Sequence, residues 1–201
     1  MSEATASATD DLRVVTGQVR LSFPYLFKPR QPAKGQDGDP KYSVMILIPK
    51  TDTATIEKIK AAEARALEIG KATKFGSNFK MSSLAPSIIK DADEDGTAED
   101  YPERAGHLYM TVSAREQNKP EVVDRYVKEI LDQSEVYSGV YAKVSIGAFA
   151  YVYGDMKKGV SFGLNNVQIL GGGESLAGGK PASAEFDVVE IDESETADSL
   201  L

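Results

Sequence analysis

The chain has 201 residues and 21.7 kDa, with 41% hydrophobic and 27% charged residues, which is the balance of one globular domain with a substantial core plus tails. It has no cysteine and one histidine, His107, which excludes a disulfide scaffold, a thiolate nucleophile and a Cys-ligated zinc site and argues against paired-histidine chemistry. The net charge is −8, no apolar run approaches the ~18 residues of a membrane span, and residues 1–12 lack the features of a signal peptide, so a soluble protein without a membrane partner is expected.

Residues 1–12 are Ser/Thr/Ala-rich with almost nothing apolar, and disorder is expected there. A strand follows at about 13–23, where Val19, Leu21 and Phe23 alternate with Arg20 and Ser22. Four prolines (24, 29, 32, 40) and two glycines (35, 38) predict a long loop from 24 to 40. Residues 42–48, apolar on both faces, read as a central strand. A helix is expected over about 53–69, capped near Thr51–Thr53. Its apolar face is Ile56, Ile59, Ala62, Ala66 and Ile69, and Gly70 is its stop. An irregular polar stretch from 71 to 106 surrounds an acidic insertion at 91–103. Strands are predicted again at about 107–114, 121–128, 137–153 and 160–170. Glycines from 171 to 179 then open a flexible linker into an acidic tail that ends at 201. No strand–helix alternation recurs, so a small, mainly antiparallel barrel over 13–170 is expected rather than a parallel sheet.

The charge is unevenly distributed. Residues 182–201 hold seven acids and no base, and residues 1–12 hold three acids and no base. All 23 Lys and Arg therefore lie in 13–181. Seven further acids fall between Asp91 and Glu103, and outside that run the body carries 23 bases against 14 acids. A basic body with an acidic tail suits a polyanion partner, although charge alone favours, by a little, a solvated surface with a solubilising tail.

The stretch Val140–Tyr153 has one uniformly apolar face, while the other reads Tyr141, Lys143, Ser145, Gly147, Phe149, Tyr151, Tyr153. Aromatics beside a cation suit stacking of unpaired bases along a phosphate track; packing as a second core is the alternative. Gly147 is a place for the strand to bend. The segment Tyr25, Phe27, Lys28, Arg30, Lys34 repeats the aromatic–basic interleaving among stiffening prolines, and here binding is favoured over core. Arg115, Lys119 and Arg125 add bases around another turn, where surface solvation is the favoured explanation of each residue taken singly. Candidate nucleic-acid contacts are thus Tyr25, Phe27, Lys28, Arg30, Lys34, Arg115, Lys119, Tyr141, Lys143, Phe149 and Tyr151. The Asp91–Gly96 run mimics an EF-hand start but has Pro102 where a bidentate Glu is needed, and Gly179-Lys180 lacks the remaining P-loop residues. No cofactor, no metal and no catalytic constellation is expected, and His107 reads as a strand-start residue.

Several segments together resemble a bacteriophage family of OB-fold single-stranded DNA-binding proteins. They are Val19–Phe23 leading to Phe27-Lys28-Pro29, Pro40–Ser43 with Ile46–Lys50, Tyr101-Pro102, Pro120–Asp124, Ser134–Gly139 and Gly163–Gln168, in order across about 19–170. The resemblance implies an OB-fold-like barrel and sequence-independent binding of single-stranded DNA in phage replication or recombination, in the host cytoplasm. Self-association on DNA is compatible with it. The tail, with Phe186, Asp187, Glu190, Asp192, Glu193, Leu200 and Leu201, is expected to compete with DNA and to recruit replication or recombination proteins, a purely solubilising tail being the equal alternative. The alternative is a non-enzymatic structural or assembly protein of a phage particle, which would show no oligonucleotide affinity.

Overall fold

The computed structural model describes residues 11–32, 38–154 and 157–176. Strands β1 (Arg13–Val15), β2 (Val19–Arg30) and β3 (Lys41–Pro49) precede the helix α1 (Thr53–Thr73). After it come β4 (Lys90–Asp91), the single-turn α2 (Thr97–Asp100), β5 (His107–Arg115), β6 (Glu121–Val123), β7 (Tyr141–Tyr153) and β8 (Lys157–Gly171). The order β7-β2-β3-β5-β8 closes on itself because β7 also pairs with β8. The ring is uneven: the β3–β5 and β7–β8 ladders are long, whereas β2 meets β7 only at Val19–Arg20 and β5 meets β8 only at Ser113–Gly163, in parallel. The expected mainly β, OB-like barrel with one main helix is what forms.

Alternation fills the ring. Val44, Ile46 and Ile48 of β3, Met110 and Val112 of β5, and Val144, Ile146 and Ala148 of β7 all point inward and are buried. Leu47, on the opposite face of β3, is buried with Tyr109 and Ala92 under the 91–100 segment, which accounts for a strand apolar on both faces.

Three expectations are corrected. The first strand is broken at Thr16–Gly17, where Gly17 N donates to Thr55 Oγ1 at 2.7 Å and a Cβ on Gly17 would collide with the Asp52 carboxylate. That carboxylate is the N-cap of α1, accepting from Thr55 N at 3.1 Å. The predicted loop at 24–40 is strand as far as Arg30. Pro24 and Pro29 are accommodated because the β2–β3 register shifts twice, between Ser22 and Tyr25 and between Tyr25 and Arg30. The third concerns Gly70, which does not end α1. It is buried three residues before the end, where a Cβ would stand 2.6 Å from Ala150 Cβ and 2.7 Å from Phe75 Cζ. Its missing side chain lets the helix close on β7.

The acidic run is not a free insertion. Lys50 reaches Asp91 at 2.6 Å and Asp93 at 2.7 Å, and Asp93 also accepts from Gly106 N. Asp95 accepts from Tyr109 Oη at 2.6 Å and from Thr97 Oγ1 at 2.7 Å. The hydrogen bond from Tyr109, then those from Thr97, hold the Asp95 carboxyl at a pKa of about 2. The Lys50 ammonium likewise lowers Asp91 and Asp93. Arg104 is buried, with its guanidinium 3.9 Å over the Tyr101 ring and 5.2 Å from that of Tyr109. The expected linker is also tied down as far as Leu176: Arg20 donates to Glu174 O, Tyr137 Oη to Gly172 O and Gly173 O, and Leu176 N to Ser138 O. The N-terminal residues 1–10 and the tail from 177 lie outside the described residues.

Candidate nucleic-acid interface

Because β5 and β8 meet at a single pair, the strands diverge on either side of it, and an open groove of about 860 Å³ lies across the outer face at that point. Cross-strand register explains its floor. Tyr25 pairs with Ser43, Ser43 with Ser113, Ser113 with Gly163 and Gly163 with Gly147, so one outward row runs around the ring through small residues. A long chain could lie close to the backbone there.

One row toward the rim, Arg30 pairs with Lys41 and Lys41 with Arg115, placing three cations side by side across β2, β3 and β5. Lys119 follows Arg115 on the same lip of the groove. The Arg30 guanidinium stands 5.0 Å over the ring of Tyr25, which is 37% exposed.

The opposite wall is an arm made by the end of β7 and the start of β8. Ala148, Ala150, Val160 and Phe162 are buried on its inner side, where Lys74 Nζ donates to Ala150 O and Lys158 Nζ to Phe75 O. Its outer side carries Phe149 (45% exposed), Tyr151 (half-buried) and Tyr153 (77% exposed). This side is therefore not a second core. Tyr151 faces Gly159 across the ladder, and its ring lies where a Gly159 Cβ would be, 2.7–2.9 Å from Oη, Cζ and Cε1. The glycine lets the ring lie against β8. The only irregularity of the β7–β8 ladder within this region falls opposite Ser145–Ile146, beside Gly147, with the extra residue on β8.

Of the residues singled out from sequence, Arg115, Lys119, Phe149 and Tyr151 line the groove, and Tyr25 and Arg30 stand at its β2 end. Lys28 is exposed in the bulged part of β2 between Tyr25 and Arg30. Phe27 is instead half-buried against the core and lines a neighbouring cleft with Val122 and Ile130, which Lys119 also borders. Tyr141 and Lys143 share the outward face of β7 but lie outside the groove. Tyr141 pairs with Arg20 and Gly171, six residues or roughly 20 Å from Gly147 at the strand rise. Lys34 and the tail residues Phe186, Asp187, Glu190, Asp192, Glu193, Leu200 and Leu201 lie outside the described residues. Among the groove residues not singled out from sequence are an aromatic and a cation, Tyr153 and Lys41. Tyr153 continues the period-two face already recognised, and Lys41 is placed by the Arg30–Lys41–Arg115 register.

The charges are segregated along β3 and β5. The cationic row occupies the Lys41–Arg115 end, while the Asp91–Asp93 anchor on Lys50 occupies the Pro49–His107 end, eight residues or roughly 26 Å away. The densest carboxylates of the described chain are thereby kept off the groove.

Comparison with known proteins bears on the fold and the family. A family model described as the ssDNA-binding protein of Enterobacter phage Enc34 matches residues 12–200. Putative protein p50 of Acyrthosiphon pisum secondary endosymbiont phage 1 is 36% identical over 190 residues, covering 92% of this chain and 97% of the relative. Among solved structures, the single-stranded DNA-binding protein from bacteriophage Enc34 in complex with ssDNA matches with a TM-score of 0.66 at 26% identity, covering 83% of this chain and 90% of that one. The single-stranded DNA-binding protein gp2.5 of bacteriophage T7 matches with a TM-score of 0.56 at 16% identity over 90% and 98% of the two chains, a likeness of fold. With barrel, groove and a family match over nearly its whole length, the chain belongs to the family of the Enterobacter phage Enc34 ssDNA-binding protein.

Proposed function

We propose that this protein binds single-stranded DNA in the groove between the Arg30–Lys41–Arg115 row and the Phe149–Tyr151–Tyr153 arm. It would act in phage DNA replication or recombination as a binding protein rather than an enzyme. The observation that carries the reading is the pairing of an aromatic wall with a cationic lip across a floor of serines and glycines. Stacking on aromatic faces is worth about 1–3 kcal/mol per base and tolerates any sequence, because every base has a π face. Duplex bases are already stacked on each other and cannot use the arm. Membership of the family, and a solved relative whose complex contains ssDNA, support the same conclusion.

The acids of 182–201 would compete for the cationic lip and, with Phe186 and Leu200–Leu201 among them, bind replication or recombination proteins. The host bacterial cytoplasm is the compartment this reading implies, and self-association along a strand is compatible with it.

Fluorescence anisotropy with single- and double-stranded oligonucleotides across a salt series tests the proposal. Preference for single strands is expected, with log affinity falling by roughly 0.7 per neutralised phosphate for each unit of log salt. Equal affinity for duplex would remove the stacking mechanism, and no binding at low salt would remove the function.

A further inference from the structure

The β7–β8 ladder is irregular inside the groove. Ser145 pairs with Asn166 and Ile146 with Leu164, so Asn165 has no partner on β7. A bulge of this kind leaves one residue outside the ladder and re-aims its side chain. Asn165 turns onto the groove floor, and a Cβ built on Gly147 would stand 3.7 Å from its Nδ2 and 4.0 Å from its Oδ1. Among the described residues, its amide has one hydrogen-bond neighbour, Ser145 Oγ at 3.5 Å, the outer limit of such a bond. The carbonyl and one N–H remain for a ligand. The adjacent Asn166 is differently employed, its Oδ1 accepting from Glu121 N at 3.1 Å.

A primary amide presents a donor and an acceptor side by side, the pattern that pairs with base edges such as the N6 and N7 of adenine. The rings of the arm stack on any base, and the cations of the lip donate only, so neither presents this paired donor and acceptor. Gly147 and Gly163 carry no side chains of their own. The nearest neighbours of the space above them are the Asn165 amide, 3.7 Å from a Cβ on Gly147, and Phe149 Cε1, 3.7 Å from a Cβ on Gly163. A base edge resting beside the Phe149 ring can therefore come within reach of the amide.

We propose that Asn165 is a specificity-determining residue, hydrogen-bonding the edge of a base laid over the Gly147–Gly163 floor. The inference rests on the DNA-binding reading above and adds to it a modest preference among bases.

The test uses the full-length protein and equal-length dT, dC and dA homopolymers, with affinities measured by anisotropy at one salt concentration. The wild-type protein is expected to rank the three. Asn165→Ala should weaken binding of the preferred one by about 3- to 10-fold, the range of one or two net hydrogen bonds, and leave the least preferred within about twofold. The salt slope should not change. Equal wild-type affinity for all three strands, or the same loss on all three, would overturn the proposal while leaving the groove reading intact. If Asn165→Ala lowers the melting temperature, Asn165→Ser keeps a polar side chain at the bulge and is judged by the same spread. Failure of the groove reading itself has a different signature, since the wild-type protein would then bind none of the strands.

Discussion

Gly159 faces Tyr151 across the β7–β8 ladder, and the room left by its missing side chain is occupied by the tyrosine ring. An alanine Cβ would stand 2.7 Å from Tyr151 Oη, 2.8 Å from Cζ and 2.9 Å from Cε1, closer than carbon atoms tolerate. The ring end of a half-buried tyrosine moves more easily than two paired backbones, so Gly159→Ala should swing Tyr151 off β8. The backbone at 159 lies outside the left-handed region and accepts alanine. The gain of about 0.4–1 kcal/mol from a less flexible unfolded chain would offset part of the lost ring packing. The melting temperature should therefore stay within about 4 °C of wild type. Strand affinity should fall by up to the value of one stacked base, about 1–3 kcal/mol or roughly 5- to 150-fold, with the salt slope unchanged because no phosphate contact is removed. Anisotropy with a dT oligonucleotide at several salt concentrations reads both quantities. The decisive comparison is with Tyr151→Ala: the double variant should bind like Tyr151→Ala alone, because the glycine acts only through the ring. Additive losses, or an unaltered affinity for Gly159→Ala, would refute the role assigned to this pair.

Replacing Lys41 or Arg115 by Ala should flatten the salt slope by about 0.7 each, whereas Lys143→Ala, on the same strand face but outside the groove, should leave slope and affinity unaltered in the same titration. Deleting residues 182–201 removes seven acids and changes the formal charge from −8 to −1; the truncated protein should bind single strands more tightly at low salt, with the difference fading as screening increases. Unchanged affinity across the series would leave the tail a solubilising role alone. The folded pKa of Asp95, about 2, lies below its ordinary 3.8. It therefore contributes stability that is fully present above about pH 4 and is lost as pH falls through 2. Urea midpoints measured between pH 5 and 2 should fall less steeply for Asp95→Asn than for wild type.

Periodicity made the most of this fold legible. The alternation from Val140 to Tyr153 separates a core face from an outward aromatic face, and the structure keeps both as far as Ala150, beyond which Val152 of the apolar face is exposed. Punctuation misled where tertiary packing overrode it. Gly70 follows a helical apolar face as a stop would, yet it is there because Ala150 and Phe75 leave no room for a side chain. Pro24 and Pro29 read as loop, and only the shifted β2–β3 register shows how a strand carries them. The site divides along the same line. Alternation tells which face of a strand a residue occupies but not which length of that face is used, so Tyr141 and Lys143 could not be separated from Phe149 and Tyr151 in advance. Lys41 is one lysine among many in the sequence. It becomes a groove residue through neighbours on two other strands, Arg30 and Arg115, that only the sheet brings beside it.

The segregation of charge along β3 and β5 has a kinetic consequence. Cations at one end of the β3–β5 ladder and carboxylates at the other give that ladder a separation of charge whose positive end lies at the groove. A polyanion approaching through the solvent is then turned as well as attracted, because the field orients the partners before they touch. On the proposed reading, encounters that would otherwise begin on the wrong face would be steered toward the aromatic arm. Ionic strength should therefore act first on the association rate, while dissociation follows the stacked bases and changes far less.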